Sequence, residues 1–250
     1  MSDHSRPVGA ATTTTTTNAS GVRTDDFDYG LPDDAIAQHP IEPRDAARLL
    51  VDVDGRVEHR HVRDLPSLVG PGDVVVVNAT QVLPARLHLR KDTGGAVEVL
   101  LLEESAEPGC WEALVRPSRK IRPGTALVAG DDLTVIVDGD LGEGRRSVRV
   151  VTDDLLAALA VHGEMPLPPY IHERLDDPDR YQTVFAEEPG SVAAPTAGLH
   201  LTPAVLDGIV AAGAEVHTVT LWVGLGTFRP ITADRIADHV MHHERYEVPA

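Results

Sequence analysis

Leu87-His88-Leu89-Arg90-Lys91-Asp92-Thr93-Gly94-Gly95-Ala96-Val97-Glu98-Val99-Leu100-Leu101-Leu102 is the stretch that decides the fold class. Two apolar-rich segments flank Thr93-Gly94-Gly95, whose glycines allow the positive φ of a tight reversal, so the pattern predicts a β-hairpin. Downstream, residues 111–115, 126–128, 133–137 and 147–151 are further apolar segments at close, turn-punctuated spacing. Short strands in this rhythm predict a small antiparallel β-barrel or sandwich over roughly residues 83–151, and the barrel is taken as the expectation.

On either side of this region the texture differs. Upstream, residues 49–53 and 56–62 flank Asp54-Gly55, a second hairpin signal, and Val74-Val75-Val76-Val77 reads as a wholly apolar strand. Residues 31–37 read as a short capped helix stopped before Pro40. Downstream, Leu155, Leu156, Leu159 and Val161 recur at helical spacing, with Gly163 as the stop. Thr202-Pro203 places a cap and a first-turn proline before a helix over 203–212 that ends at Gly213. A strand over 215–223 and a last helix over about 232–242 complete the pattern. The fold class is therefore an α/β (mixed α+β) domain, residues 25–82 and 152–250, carrying the barrel as an insertion. Residues 1–24, with the run Thr12 to Thr17, read as a disordered leader.

Composition narrows the function. Apolar residues are 42% of the chain but aromatics only 4%, so the core is built from Val, Leu, Ala and Ile. Twenty-two basic against 39 acidic residues leave a net charge of −17, which excludes a general nucleic-acid coating protein. Any phosphate contacts must come from a local reversal of sign, and mostly from arginine, since Lys91 and Lys120 are the only lysines. Cys110 is the only cysteine, which excludes an internal disulfide or a multi-cysteine metal site. With no apolar run near the ~18 residues that span a bilayer, a cytoplasmic protein without membrane contact is expected.

Four segments concentrate chemistry. Pro195-Thr196-Ala197-Gly198-Leu199-His200 is a small-residue loop delivering a histidine just before a helix N-terminus, where free N–H groups favour anions; a packing loop with a structural histidine is the bland alternative. Gly224-Leu225-Gly226-Thr227-Phe228-Arg229 lies at a strand end, where α/β folds place ligands, although the bare G-x-G is also an ordinary turn. His239, His242 and Glu244 superficially suggest a metal cluster, with H-x-x-H about one helical turn apart, but the order is not that of a zinc hydrolase and no metal is expected. Arg116, Arg119, Lys120 and Arg122 fall within seven acid-free residues, with Arg86, Arg90 and Lys91 nearby if the barrel pairs as expected.

Gly72 to Asn78, Leu83 to Leu87, Thr93 to Leu101, Ala113 to Ser118, Pro166 to Ile171, Arg180 to Phe185, Ala194 to His200, Gly224 to Pro230 and Asp238 to His242 together resemble one family, the S-adenosylmethionine:tRNA ribosyltransferase-isomerases of queuosine biosynthesis. The match is collinear over residues 27–250. The resemblance implies transfer and isomerisation of the ribosyl part of S-adenosylmethionine onto 7-aminomethyl-7-deazaguanine at the wobble position of tRNA, giving epoxyqueuosine and releasing adenine and methionine. It implies S-adenosylmethionine as ribosyl-donor substrate, no metal, a tRNA partner and a monomeric, cytoplasmic enzyme. By position, His200, His239, His242 and Glu244 are catalytic candidates. Asn78, Pro195, Thr196, Ala197, Gly198, Leu199, Gly224, Gly226, Thr227, Phe228 and Arg229 are cofactor-pocket candidates, and Arg86, Lys91, Arg116, Arg119, Lys120 and Arg122 are tRNA-phosphate candidates.

The sequence departs from the family pattern at Ala79 and Gln81, where the family typically has Asp and Arg, and at Trp222, where it usually has His. The family also continues past Tyr246-Glu247-Val248, so the chain reads as C-terminally truncated. These departures motivate an alternative, a non-catalytic paralogue that binds tRNA or a nucleoside.

Overall fold

A computed structural model describes residues 21–228 and 230–249, in two compact units: 21–32 with 230–241, and 33–228 with 242–249. Most of the expected leader, residues 1–20, lies outside the described residues, as does Arg229.

In the smaller unit the expected helix over 232–242 does not form; a single 3-10 turn, Ile236–Asp238, replaces it. The cause is competition for backbone groups. The Thr24 amide donates to the Asp234 carbonyl at 3.0 Å, and the Ile236 amide donates to the Val22 carbonyl at 3.1 Å. Those groups are then unavailable for the i→i−4 ladder of a helix. The H-x-x-H spacing of His239 and His242 therefore does not sit on one helix face.

The larger unit is organised around a closed barrel. Strands run in chain order: β1 (Arg48–Val53), β2 (Arg56–His61), β3 (Val74–Asn78), β4 (Thr80–Val82), β5 (Arg86–Lys91), β6 (Ala96–Glu104), β7 (Cys110–Arg116), β8 (Ala126–Ala129), β9 (Leu133–Gly142) and β10 (Arg145–Val151). After them come helix α1 (Leu155–His162), β11 (Gly163–Glu164), β12 (Glu188–Ser191), helix α2 (Pro203–Ala211), β13 (Glu215–Trp222) and β14 (Arg245–Glu247). The barrel order is β5-β6-β7-β10-β9-β8, and β8 returns to β5 through Arg90↔Val128 and Lys91↔Leu127. Strand alternation sends Leu87, Leu89, Val97, Val99 and Leu101 inward, where they meet Val115, Leu127, Val135, Val137 and Val148. Each such buried side chain contributes roughly 1.5–3 kcal/mol relative to exposure.

Asp154 caps α1 by accepting from the Ala157 amide at 3.0 Å, and the helix places Ala158 and Leu159 in the barrel's own apolar cluster. β11 then adds to β5 opposite Leu87 and Arg86.

The α/β layer pairs β3 in parallel with β13, with β14 antiparallel on the other side of β13. Thr202 caps α2 through the Val205 amide, and Gly213 leaves the helix at φ +93°. Val205 and Ile209 of α2 pack with Val62, Val77, Leu201 and Ala214. Only one face of β3 is covered: Val75 and Val77 join that cluster, whereas Val74 and Val76 are 56% and 57% exposed. The β1–β2 hairpin turns at Asp54 and Gly55, both at positive φ. The short helix expected near residues 31–37 is reduced to one 3-10 turn, Asp33–Ala35, whose residues are all exposed and so gain no packing to offset helix nucleation. Among the described residues no helix is long and apolar enough to cross a membrane.

Gly163 is the tightest joint in the barrel, because a Cβ there would lie 1.8 Å from the Pro84 carbonyl oxygen and 2.6 Å from that of Leu159. Both obstacles are backbone. Gly163→Ala is expected to destabilise the larger unit by about 2 kcal/mol or more. Urea unfolding checks this; an unchanged midpoint contradicts it.

Candidate functional site

The second glycine-containing loop begins where β13 ends, and a buried hydroxyl ties it to the first. Ser191, fully buried at the end of β12, accepts from the Val223 amide at 3.2 Å and donates to the Ala193 carbonyl at 2.8 Å. The Val192 amide donates to the Val223 carbonyl at 3.3 Å. The chain segments leading into both small-residue loops are thus held side by side at the C-terminal end of β13, the end at which α/β sheets place ligands.

Within the second loop one carboxylate gathers the backbone. Glu244 Oε1 accepts from the Gly224 amide at 3.2 Å and from the Thr227 hydroxyl at 3.0 Å, and lies 3.1 Å from His242 Nε2. The His242 ring lies directly on Gly226: a Cβ at that position would be 2.1 Å from His242 Cγ. Gly224, Gly226, Thr227, His242 and Glu244, five residues singled out from sequence, therefore form one constellation. Among the described residues nothing lies within 4 Å of a Cβ built on Gly224, so only the second glycine of the G-x-G is demanded by a close approach.

Residues 196–200 of the first loop form a 3-10 turn closed by the Gly198 amide on the Pro195 carbonyl at 2.8 Å. Gly198 is required by contact, since a Cβ would meet Phe185 Cζ at 2.9 Å. Thr196 and Ala197 are exposed, while Pro195, Leu199 and His200 are half-buried. Among the described residues the His200 imidazole has no hydrogen-bond partner, and no bond joins it to His242 or Glu244. His239 is half-buried in the smaller unit.

Four supporting residues escaped the sequence reading. Arg44 donates to the carbonyls of Gln182 at 2.6 Å, Asp179 at 2.9 Å and Leu199 at 3.4 Å. Burial and the neighbouring Arg180 lower its pKa. The Gln182 amide pairs with Val82 as a strand would, accepting from its amide at 3.0 Å and donating to its carbonyl at 2.7 Å. Tyr181 is buried beside Ala194, and burial pushes its pKa up to about 12, so it stays a neutral hydroxyl at physiological pH. Ser191 is the fourth. Its adjacency to the small-residue loop was the signal available; for Arg44, about 150 residues from the carbonyl of Leu199, there was none. Asn78 is spent on the backbone: its amide group donates to the Leu221 carbonyl and accepts from the Leu221 and Thr80 amides at 3.0–3.2 Å.

The basic residues cluster at one end of the barrel. Arg116 ends β7 opposite Glu98, Arg119 and Lys120 lie in the 3-10 turn Ser118–Lys120, and Lys91 Nζ donates to the Lys120 carbonyl at 3.1 Å. Arg116, Arg119, Lys120 and Arg122 are exposed, and among the described residues none has a carboxylate partner. Arg86 differs, standing 4.0 Å from Glu98. Beside this rim, His88, Arg90, Glu98 and Arg116 line a cleft of about 330 Å³ on the outer barrel wall.

The two glycines of the second loop make a direct comparison. Gly226→Ala is expected to drive the His242 ring off Glu244, whereas Gly224→Ala leaves the contact intact. Crystal structures of both variants check this, and persistence of the His242–Glu244 contact in Gly226→Ala contradicts it.

Residues 24–250 match a family model described as queuosine biosynthesis protein. An S-adenosylmethionine:tRNA ribosyltransferase-isomerase of Symbiobacterium thermophilum is 52% identical over 235 residues, covering 91% of this chain and 68% of that protein. The enzyme of the same name from Rubrobacter xylanophilus is 52% identical over 230 residues, with the same coverage, and that of Thermotoga maritima 45% over 234. The crystal structure of a Thermotoga maritima S-adenosylmethionine tRNA ribosyltransferase aligns at 34% identity over 80% of this chain and 59% of its own, with a TM-score of 0.33. The chain thus spans about two thirds of the length of the curated relatives it matches. With half the residues identical over nine tenths of its length, this chain belongs to the S-adenosylmethionine:tRNA ribosyltransferase-isomerase family of queuosine biosynthesis proteins.

Proposed function

We propose that the protein transfers and isomerises the ribosyl moiety of S-adenosylmethionine onto 7-aminomethyl-7-deazaguanine at the tRNA wobble position, yielding epoxyqueuosine and releasing adenine and methionine. The observation that carries this reading is the convergence at the end of β13 of the Ser191-pinned loops, one gathered on Glu244 and the other bearing an unpaired histidine. Family membership supplies the reaction class.

Such a transfer needs a group to take a proton beside the sulfonium, a donor to help adenine depart, and a site that excludes water. His200 is assigned the proton transfer, because its imidazole is half-exposed and engaged by no neighbour among the described residues. Glu244 holds Gly224, Thr227 and His242 in place, so that the second loop presents a fixed wall to the nucleoside. Pro195 to Leu199 form the facing wall, Asn78 secures the strand crossing beneath, and Phe228 and Arg229 are assigned to the pocket from the family pattern. No step uses a metal. The exposed cations Arg116, Arg119, Lys120 and Arg122, without a carboxylate partner among the described residues, are assigned to tRNA phosphates with Lys91 behind them; Arg86, at the opposite end of β5 beside Glu98, is assigned with them from the family pattern. The same reading makes the protein a cytoplasmic monomer.

A second reading, a paralogue that binds tRNA or a nucleoside without turnover, is favoured by Ala79, Gln81 and Trp222, where ionisable groups of the family pattern are missing. Incubation with S-adenosylmethionine and tRNA bearing the aminomethyl base separates the two: adenine release supports the enzyme, and binding of tRNA by folded protein without release supports the paralogue.

For the enzyme, His200→Ala is expected to slow adenine release by about 10²- to 10⁴-fold with S-adenosylmethionine affinity unchanged. A variant that keeps the parental rate removes His200 from the chemistry. Arg116→Ala and Arg122→Ala should each lower the salt slope of tRNA binding by about one unit, read from titrations at several NaCl concentrations.

A further inference from the structure

We propose that Arg146 is a positioning residue for RNA binding: from inside the barrel end it holds the turn that displays Arg119 and Lys120. The inference rests on the tRNA reading of that rim.

Arg146 lies on β10 and is only 6% exposed, unlike every other arginine at this end of the barrel. One terminal nitrogen pairs with Asp140 and donates to the Arg145 carbonyl at 2.9 Å. The other donates to the Ser118 carbonyl at 3.1 Å. That carbonyl also accepts from the Ile121 amide at 3.1 Å, so the guanidinium sits on the hydrogen bond that closes the turn. At the other end, Lys91 Nζ holds the Lys120 carbonyl. The three-residue turn is therefore clamped at both ends by cations that each give a donor to its backbone, while the side chains of Arg119 and Lys120 stay exposed and, among the described residues, unpaired.

Stability is a poor account of this arginine. A guanidinium is costly to remove from water, Arg146 Nε has no partner, and Asp140 is 61% exposed and only weakly compensating. Replacing such a buried charge together with its surroundings by apolar groups is often neutral or stabilising. What an apolar residue lacks is the planar fork, which reaches Ser118 and the Asp140–Arg145 side at once. The arrangement makes sense as geometry imposed on the turn, giving two cations a fixed spacing that can match successive phosphates with little ordering left to do on binding.

Arg146 is buried and already paired, so it presents no charge of its own to a phosphate. Its removal also leaves the Asp140 carboxylate without its partner, so a change in salt dependence reports on the turn when Arg146→Lys, which keeps the charge, shows it as well. The test is fluorescence anisotropy of a labelled anticodon stem-loop RNA against the full chain across NaCl concentrations, with thermal melts of each variant. Arg119→Ala/Lys120→Ala is the reference, expected to lower the salt slope by about two units. Arg146→Met should melt near the parent yet bind at least fivefold more weakly, with the slope lower by one to two units. Adding it to the reference double variant should then cost little more. Arg146→Lys is measured beside it and stands alone if Arg146→Met fails to fold; it keeps the charge but has one donor head, and the same loss of slope is expected. Parental affinity and slope in a folded Arg146 variant, with the reference variant impaired, overturn the positioning role and leave the RNA reading intact. An unimpaired reference variant overturns the RNA reading of the rim and the inference with it.

Discussion

Strand β5 must pair on both sides, and the larger unit depends on that constraint. A core with hardly any aromatic residues encloses apolar volume by number and closure of aliphatic side chains rather than by a few large rings. β5 supplies the closure: it pairs with β6 along one edge, and its other edge is divided between β11 at Arg86–Leu87 and β8 at Arg90–Lys91. Between the two, among the described residues, only His88 and Leu89 have no partner strand on that edge, too short a length for another chain to extend. The division also decides what lies where. The β11 half draws in α1, whose Leu159 completes the barrel core, and the β8 half brings Lys91 to the turn at Lys120. Hydrophobic closure and the placement of the cationic rim are two results of one strand's pairing.

The α/β layer solves a different problem. Where its short strands end, backbone groups at the site need partners, and side chains supply them: Ser191 for Val223, Asn78 for Leu221, Gln182 for Val82, Arg44 for Leu199, Glu244 for Gly224. Each of these polar groups is fixed by more than one bond. Half-satisfied, such groups would destabilise the layer; fully engaged, they give loops of small residues a defined shape without bulk. That combination leaves room for a ligand to approach backbone.

Much of this could be read in the sequence where the signal was local. Asp54-Gly55, Thr93-Gly94-Gly95, Thr202-Pro203 and Gly213 each dictate a turn or cap whatever lies around them, and all appear in the structure where expected. The helix expected over 232–242 failed because its backbone was claimed by residues 22–24, some 210 positions away, and nothing local announces such a claim. The site was legible to the same degree. Gly226 and Glu244 stood out as residue types, but that Glu244 would gather Gly224 and Thr227 depends on β14 pairing with β13. Nothing local singles out Arg44 or Arg146, because burial of a charge is a property of the neighbours it will meet and not of its own sequence.

The departures from the family pattern take on physical meaning in the same way. Trp222 is a large indole where an imidazole is usual, yet it is fitted on two sides. On one side Gly190, at φ +137°, leaves a gap that any Cβ would close to 2.8 Å from the ring. On the other, the Arg245 guanidinium lies 4.4 Å from the ring centroid, from its place opposite Trp222 in the β13–β14 register. Ala79 is likewise absorbed: it is buried, its amide bonds to Val219, and its carbonyl receives the amides of Glu187 and Glu188, so the crossing between β3 and β4 is tight without a charged side chain. Substitutions that accumulate after a site has lost its use have no reason to acquire seats of this kind. A bulky ring would ordinarily be left against a neighbour it overpacks, at a cost of about 1–3 kcal/mol. At Trp222 the neighbours on both faces accommodate it, which is the mark of a segment still held to a shape.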